Sequence, residues 1–257
     1  MAQPEFRKFQ GKSTSNGKNP YQLTKNQHIH SKHAIGLFNN EHKKVEVFDL
    51  ASGGITQKRA GDSFFCGMRL WDERAEKGYM AAIENKFHNE IDNLRPVTKR
   101  NHRAITEYFF LWKFRHMALS FKKENINLAG VSGDDLTHDE EEILEKKHTV
   151  FVQEDSSVPY HMYNGLHIQV SIDKAMYQFE NLRWGLWKAK RGEFILADSY
   201  YKLDELCGFF PISPTLAFAA SMQDGMINYD DVKLCNQQSK KFASSYCIAR
   251  SWTNAPL

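Results

Sequence analysis

The sequence lacks the patterns that mark several common classes of protein. It has no run of eighteen apolar residues, so no transmembrane helix is predicted. The first twenty residues contain no apolar core, so we expect no secretory signal. No GxGxxG or Walker motif occurs, and a nucleotide site would therefore lack its usual phosphate-binding loop.

Cysteine is also scarce and scattered. The four cysteines form no CxxC pair, so a zinc knuckle is not expected. Scattered thiols are typical of proteins from a reducing cytosol, which predicts a cytoplasmic location. We interpret the cysteines as small buried hydrophobic residues rather than as catalytic thiols. They are Cys66, Cys207, Cys235 and Cys247.

The composition is otherwise that of an ordinary globular protein. Hydrophobic residues make up 41% and charged residues 25% of the 257 residues. A chain of this length is ample for one substantial core. The net charge of +3 is too small to imply a nucleic-acid partner by itself.

Basic charge is nevertheless concentrated in residues 1–26, where Glu5 is the one acidic residue. The five basic residues there are Arg7, Lys8, Lys12, Lys18 and Lys25. Ser, Gly, Asn and Pro separate them, which predicts a basic arm ahead of a single domain over residues 27–257. Such an arm either contacts the phosphates of RNA or DNA or is a solvated tail.

Periodicity predicts a mixture of helices and hairpins. Alternation around Gly53-Gly54 predicts a β-hairpin over Lys43–Arg59. Apolar residues at helical spacing predict helices over residues 74–94, 98–121 and 230–245.

Further segments of the second half are predicted as strands, and the two around Gly192 are predicted to form a hairpin. These segments are "TVFVQED", "LHIQVS", "RWGLWKA", "GEFILADS", "FFPISPTLAFAAS" and "SYCIARSW". The whole pattern predicts an α+β domain in which an antiparallel or mixed sheet packs against a core of long helices.

Two charged residues interrupt the apolar faces of the predicted helices. At about 100° per residue, Glu84 falls beside Phe87 and Ile91 on the first helix. A carboxylate buried there needs a cation, hydrogen-bond donors or a metal. Arg115, at the edge of the buried stripe of the next helix, is a candidate partner for Glu84 or for a substrate phosphate. A structural Glu–Arg pair that fixes helix packing is the alternative.

Three other polar residues break the pattern in the same way. His116 falls near Trp112, where it is either a pocket residue or a hydrogen-bonded core histidine. Asn236 shares a face with Val232 and either caps a neighbouring backbone group or orients a ligand. Asp198 closes the segment "EFILAD", a position that suits an active-site carboxylate or the start of a turn.

The stretch "NQHIHSKHAIGLF" holds three histidines within six positions. In an extended segment His28 and His30 point to one side and His33 points to the other. One ion cannot be shared by all three without a bend. The stretch therefore indicates a single candidate catalytic or pocket-lining residue, His28.

Several motifs follow one another in an order that resembles a known family. "QHIHSKHAIGLF" keeps Gln27, His28 and Phe38 of the opening Q-H-Y-x-P-x-x-Y-L-x-x-F pattern of the bacterial domain-of-unknown-function family 4238. "WGLWKAKRGEFILADSY" and "PISP" are similar to later motifs of that family, and the resemblance spans residues 26–250.

The resemblance implies an α+β fold and a set of recurrent polar positions, but no defined reaction. Those positions fall on His28, Glu84, Arg115, Asp198 and Asn236. Ala-Asp-Ser-Tyr replaces the Ser-Asp-Asn-Pro of the family, which implies a member with an altered or inactive site.

These residues together suggest a metal-assisted phosphodiester hydrolase of the nuclease type. Glu84 and Asp198 would hold Mg²⁺ or Mn²⁺ through oxygen ligands. His28 would act as general base or acid, and Arg115 would stabilise phosphoryl charge. The predicted substrate-binding residues are Gln27, His116 and Asn236. The alternative is a non-catalytic module that binds nucleic acid or protein, in which the polar residues form a structural buried network.

Overall fold

The computed structural model describes residues 19–202 and 205–257. Its helices are α1 (Lys32–Gly36), α2 (Glu73–Ala75), α3 (Ala81–Asp92), α4 (His102–Ala118), α5 (His138–Lys146), α6 (Tyr160–Gln178) and α7 (Tyr229–Phe242). A π-helical turn, Glu76–Met80, joins α2 to α3, and 3₁₀ turns cover Ser63–Phe65 and Val97–Lys99.

The strands are short, and most belong to two four-stranded sheets. They are β1 (Asn26–His28), β2 (Val45–Asp49), β3 (Ile55–Lys58), β4 (Cys66–Met68), β5 (Ile126–Asn127), β6 (Ser157–Val158), β7 (Trp184–Ala189), β8 (Leu196–Ala197), β9 (Tyr201–Lys202), β10 (Glu205–Leu206), β11 (Phe209–Ser213), β12 (Leu216–Ala220), β13 (Gly225–Ile227) and β14 (Tyr246–Ala249).

One sheet has the order β3-β2-β14-β8 and is antiparallel throughout. The other has the order β11-β12-β7-β13, in which β13 runs parallel to β7. Three two-stranded ribbons, β1-β4, β5-β6 and β9-β10, complete the described strands. The predicted α+β class, with antiparallel and mixed sheets, is confirmed.

Helix α4 is the centre of the core, and twelve of its seventeen residues are buried. Both α3 and α6 pack against it. Its Phe109 and Trp112 contact Phe210 of the mixed sheet, with ring centroids 5.5 Å and 6.3 Å apart. Such all-round burial explains why α4 is rich in aromatic residues. No helix among the described residues is both long and apolar enough to cross a membrane.

Two of the predicted strands are wrong. "LHIQVS" lies inside α6, where Ile168 and Ile172 are buried but Leu166 and Val170 are exposed. A short apolar-polar alternation fits both the strand period and the helix period, and the four-residue spacing of the buried positions is that of a helix. "TVFVQED" is irregular, and in that stretch Phe151 is the one buried residue.

The hairpin predicted around Gly192 is also wrong. Strand β7 pairs with β12 and β13, whereas β8 pairs with β14 of the other sheet. Gly192 has a φ of +79°, in the region that favours glycine, and redirects the chain there. The next residues bond elsewhere, since Glu193 N donates to Asn254 O and Phe194 N donates to Pro214 O.

Part of the predicted basic arm lies against the domain. Leu23 is buried, and Thr24 N donates to the Glu73 carboxylate at 2.8 Å. Lys25 O accepts from Arg69 N at 2.9 Å. Residues 1–18 of that arm lie outside the described residues.

Candidate functional site

Strands β1 and β4 place His28 directly opposite Cys66. His28 Nδ1 lies 3.4 Å from Cys66 Sγ, which is within hydrogen-bonding distance for sulfur. Because side chains alternate along a strand, Gln27 and its partner Gly67 point to the opposite face. A Cβ at Gly67 would lie 2.1 Å from Leu70, so the ribbon packs this closely because residue 67 is glycine.

The second ring nitrogen of His28 is held by the backbone. His28 Nε2 lies 3.2 Å from the carbonyl oxygen of Ala60. A carbonyl oxygen accepts but does not donate, so this bond requires the proton on Nε2. Nδ1 of the neutral ring then has a lone pair for the thiol S–H. Burial lowers the pKa of His28, which keeps the ring neutral at pH 7.

Cys66 differs from the other three cysteines. Cys66 is partly exposed, whereas Cys207, Cys235 and Cys247 are buried. The prediction that all four are buried is therefore wrong for Cys66. Burial raises the pKa of the Cys66 thiol, and the Glu76 carboxylate raises it further. The thiol is protonated at neutral pH and needs a base before it can react.

The predicted contact between Glu84 and Arg115 is present. Arg115 Nη1 donates to Glu84 Oε1 at 2.5 Å. Arg115 is 2% exposed, whereas the Glu84 side chain retains 22% exposure. The guanidinium also lies over the Trp71 ring, 5.2 Å from its centroid.

Glu76 is a second carboxylate beside Arg115 that sequence reasoning missed. Its Oε2 lies 3.8 Å from Arg115 Nη2 and accepts a 2.6 Å hydrogen bond from Trp71 Nε1. Burial disfavours the charged form of Arg115, but Glu84 and Glu76 outweigh that effect and raise its pKa. Glu76 opens the π-helical turn and lies four residues before Met80, so helical spacing could have placed it on the same apolar face as Glu84.

His28 belongs to the same electrostatic neighbourhood. The carboxylates of Glu84 and Glu76 act to raise its pKa against burial, and Arg115 acts to lower it. Electrostatic interaction therefore couples His28 to Glu84 and Arg115, which are in direct contact with each other. The neighbourhood carries two carboxylates and one guanidinium, a formal charge of −1.

The other two histidines of the opening stretch have separate roles. His30 is buried, its Nδ1 lies 2.9 Å from the Tyr108 hydroxyl, and burial lowers its pKa to about 3. The chain then bends at Ser31, which caps α1. His33 lies on α1, where its Nε2 lies 2.8 Å from the Asp92 carboxylate. The three histidines therefore do not share a ligand.

Gln27 and Asn236 are occupied by the protein's own backbone. Gln27 Oε1 accepts from Leu70 N at 2.6 Å, and its Nε2 donates to Trp71 O at 2.7 Å. Asn236 Oδ1 accepts from Ile195 N at 2.9 Å, and its Nδ2 donates to two carbonyl oxygens. Both amides are buried and hydrogen-bonded at each end, the arrangement of a structural network.

Asp198 and His116 form a second polar group. The Asp198 carboxylate accepts from Ser244 N at 2.7 Å and Ser245 N at 2.8 Å, which fixes the turn between α7 and β14. His116 Nε2 lies 3.6 Å from Asp198 Oδ2, and its Nδ1 lies 2.8 Å from the Tyr201 hydroxyl.

The predicted metal ligands have different partners. Glu84 contacts Arg115, whereas Asp198 contacts the backbone after α7. Within residues 19–202 and 205–257, no three His, Cys, Asp or Glu side chains are grouped so that they could hold a metal ion. Among the described residues, no further side chain of these types therefore joins Glu84 and Asp198 as a ligand for the predicted Mg²⁺ or Mn²⁺.

Comparison with family models, with curated proteins and with solved structures gave no match. The resemblance to family 4238 therefore stays a prediction. The chemistry of the site rests on the geometry of this chain.

Proposed function

We propose that the protein is a hydrolase of esters or related acyl compounds, with Cys66 as nucleophile and His28 as general base. One observation carries the proposal: the thiol of the partly exposed residue Cys66 lies 3.4 Å from a histidine nitrogen whose ring is oriented by the Ala60 carbonyl. A nucleophile beside a base, with a third group that orients the base, is the arrangement used in nucleophilic catalysis. His28 keeps the general-base role predicted from the sequence.

The reaction proceeds in two steps, acylation of Cys66 and hydrolysis of the thioester. The Cys66 S–H proton passes to His28 Nδ1 while sulfur attacks the carbonyl carbon, and a C–S bond forms. The C–O bond to the alcohol then breaks, and the leaving oxygen takes the proton from His28 Nδ1. In the second step His28 Nδ1 accepts a proton from water, whose oxygen attacks the thioester carbon; the C–S bond then breaks, sulfur takes the proton back from His28 Nδ1, and the carboxylic acid leaves.

The charges favour acyl compounds over phosphodiesters. The group formed by Glu76, Glu84 and Arg115 has a formal charge of −1, which disfavours an anionic phosphodiester. Arg115 is 2% exposed and already pairs with Glu84, so its guanidinium has little surface left for a phosphate. The phosphodiester hydrolase predicted from the sequence therefore has less support than an acyl hydrolase.

Hydrolysis of p-nitrophenyl esters by the full-length protein tests the proposal. Cys66→Ala should abolish turnover, and His28→Gln should lower kcat/KM by about 10²- to 10⁴-fold, the range for a lost general base. His33→Gln is the matched control, because that side chain is exposed and pairs with Asp92. The proposal is wrong if Cys66→Ala retains the activity, or if the wild type releases p-nitrophenol no faster than buffer.

A non-catalytic binding module is the second candidate, favoured by the closed hydrogen-bonding of Gln27 and Asn236. RNA or DNA binding through the basic arm is part of that proposal. Fluorescence anisotropy with labelled RNA and DNA tests it, using the full chain and a chain that lacks residues 1–18. Loss of the arm should reduce the salt dependence of affinity. An unchanged salt slope would remove the arm from the proposal.

A further inference from the structure

An open cleft that includes neither Cys66 nor His28 in its lining lies between residues 97–98, 181–183 and 221–223. Its volume is about 630 Å³, within the range of small-molecule sites. Its lining residues include Thr98, Arg183, Met222 and Gln223. No Asp or Glu belongs to the lining. We call this feature the Arg183 cleft.

The wall formed by residues 221–224 is held close to strand β7. A Cβ at Gly185 would lie 2.6 Å from the carbonyl oxygens of Met222 and Gln223, so this approach depends on glycine. Asp224 secures the wall, since its carboxylate accepts from Leu186 N at 2.8 Å and from Arg100. The wall is therefore fixed before any ligand arrives.

His102 connects the other two walls. Its Nδ1 accepts from Trp184 N at 3.0 Å, and its Nε2 lies 2.8 Å from Val97 O. Burial lowers the pKa of His102; the bond to Val97 opposes this, and the positive charges of Arg183 and Arg100 lower it further. A neutral, buried His102 therefore holds the two walls together, with Arg183, Arg100 and the Glu90 carboxylate as its charged neighbours.

Arg183 stands out among the arginines of the described chain. Seven others pair with carboxylates: Arg69, Arg74, Arg95, Arg100, Arg103, Arg115 and Arg250. Within residues 19–202 and 205–257, Arg59, Arg183 and Arg191 have no such partner. Of these three, Arg183 alone lines the cleft.

We propose that the Arg183 cleft binds a small organic anion, with a carboxylate or phosphate head on the Arg183 guanidinium and an apolar part against Met222. Guanidinium is the side-chain group best suited to two parallel hydrogen bonds with an oxyanion. Thr98 and Gln223 supply neutral donors beside it. Glu180 accepts a 3.4 Å hydrogen bond from Asn181, a lining residue, and so brings an opposing charge near the cleft. The cleft therefore suits a ligand with one anionic head.

Titration of the isotopically labelled full chain with phenyl phosphate, benzoate and neutral benzyl alcohol tests the proposal. Amide chemical shifts report both where and how tightly each compound binds. The proposal predicts saturable shifts at residues 97–98, 181–183 and 221–223 with at least one of the two anions, and none with benzyl alcohol. Whichever anion binds more tightly identifies the head group.

Arg183→Gln should weaken binding about tenfold, the factor that one charge-assisted hydrogen bond contributes. Arg191→Gln is the matched control, because it changes the net charge of the protein by the same amount but alters a residue outside the cleft. Arg183→Lys should recover part of the affinity. Equal losses in Arg183→Gln and Arg191→Gln would indicate general charge attraction and overturn the proposal. Shifts at other residues, or no saturable shifts with either anion, would also overturn it.

Discussion

Replacement of Arg115 by methionine should destabilise the fold more than replacement of Glu84 or Glu76 by glutamine. The variant Arg115→Met removes a buried cation that donates to Glu84 and lies over the Trp71 ring. It leaves Glu84 and Glu76 without their cation in a site where both are mostly buried, at 22% and 18% exposure.

The expected cost follows from these contacts. Removal of one member of a buried ion pair costs about 3–5 kcal/mol, because the remaining charge stays desolvated. Partial exposure of both carboxylates lets water reach them, which places the value near the lower limit, about 3 kcal/mol. Glu84→Gln should cost less, about 1–2 kcal/mol, because the amide oxygen still accepts from Arg115 and Glu76 remains.

Urea unfolding, followed by circular dichroism, measures both free energies of unfolding. The double variant Arg115→Met/Glu84→Gln completes a cycle and should cost less than the sum of the two single changes. Costs below about 1 kcal/mol for Arg115→Met, or a larger cost for Glu84→Gln, would refute this description of the ionic group.

Three further predictions concern Cys66, His30 and Asn236. Iodoacetamide should alkylate the native protein at Cys66, and the rate should rise from neutral to alkaline pH because the raised pKa of the thiol keeps it protonated at lower pH. Peptide mass spectrometry measures this rate. Rapid alkylation at pH 6 would contradict the prediction. Acid should destabilise the fold by up to about 1.4 kcal/mol per pH unit between pH 6.5 and the pKa of about 3 of His30, since the unfolded chain binds that proton and the folded chain does not. His30→Gln should flatten this dependence in urea titrations, and an unchanged slope would contradict it. Asn236→Leu should lower the free energy of unfolding by about 3 kcal/mol or more in the same assay, because Ile195 N and two carbonyl oxygens lose their partner. A loss below about 1 kcal/mol would show that this network is not structural.

The sequence predicts those elements whose periodicity is long and unambiguous. The hairpin around Gly53 and the helices that became α3, α4 and α7 have at least one clear period and a recognisable boundary, such as the Asn228 capping box of α7. Pairing between distant strands is not readable in this way. Residues after Gly192 therefore resemble half of a hairpin, although their partner, β14, lies about fifty residues further along the chain.

In the candidate site, too, the sequence predicts local features but not contacts between distant parts of the chain. Helix geometry is local, so it correctly predicts that Glu84 and Arg115 break the buried faces and pair. Cys66 was missed because its position opposite His28 depends on strand register across 38 residues. Asn236 is inward-facing as expected, but a sequence does not reveal whether a buried amide such as Asn236 or Gln27 meets a ligand or the backbone.

The most direct test of the Cys66–His28 pair is intact-protein and peptide mass spectrometry during the first turnover of p-nitrophenyl acetate. The proposal predicts one acetyl group on Cys66, formed together with one equivalent of p-nitrophenol and then lost to water. In His28→Gln the same adduct should form about 10²- to 10⁴-fold more slowly. Acetylation of other residues only, or adduct formation at an equal rate in His28→Gln, would contradict a nucleophile and base at this site.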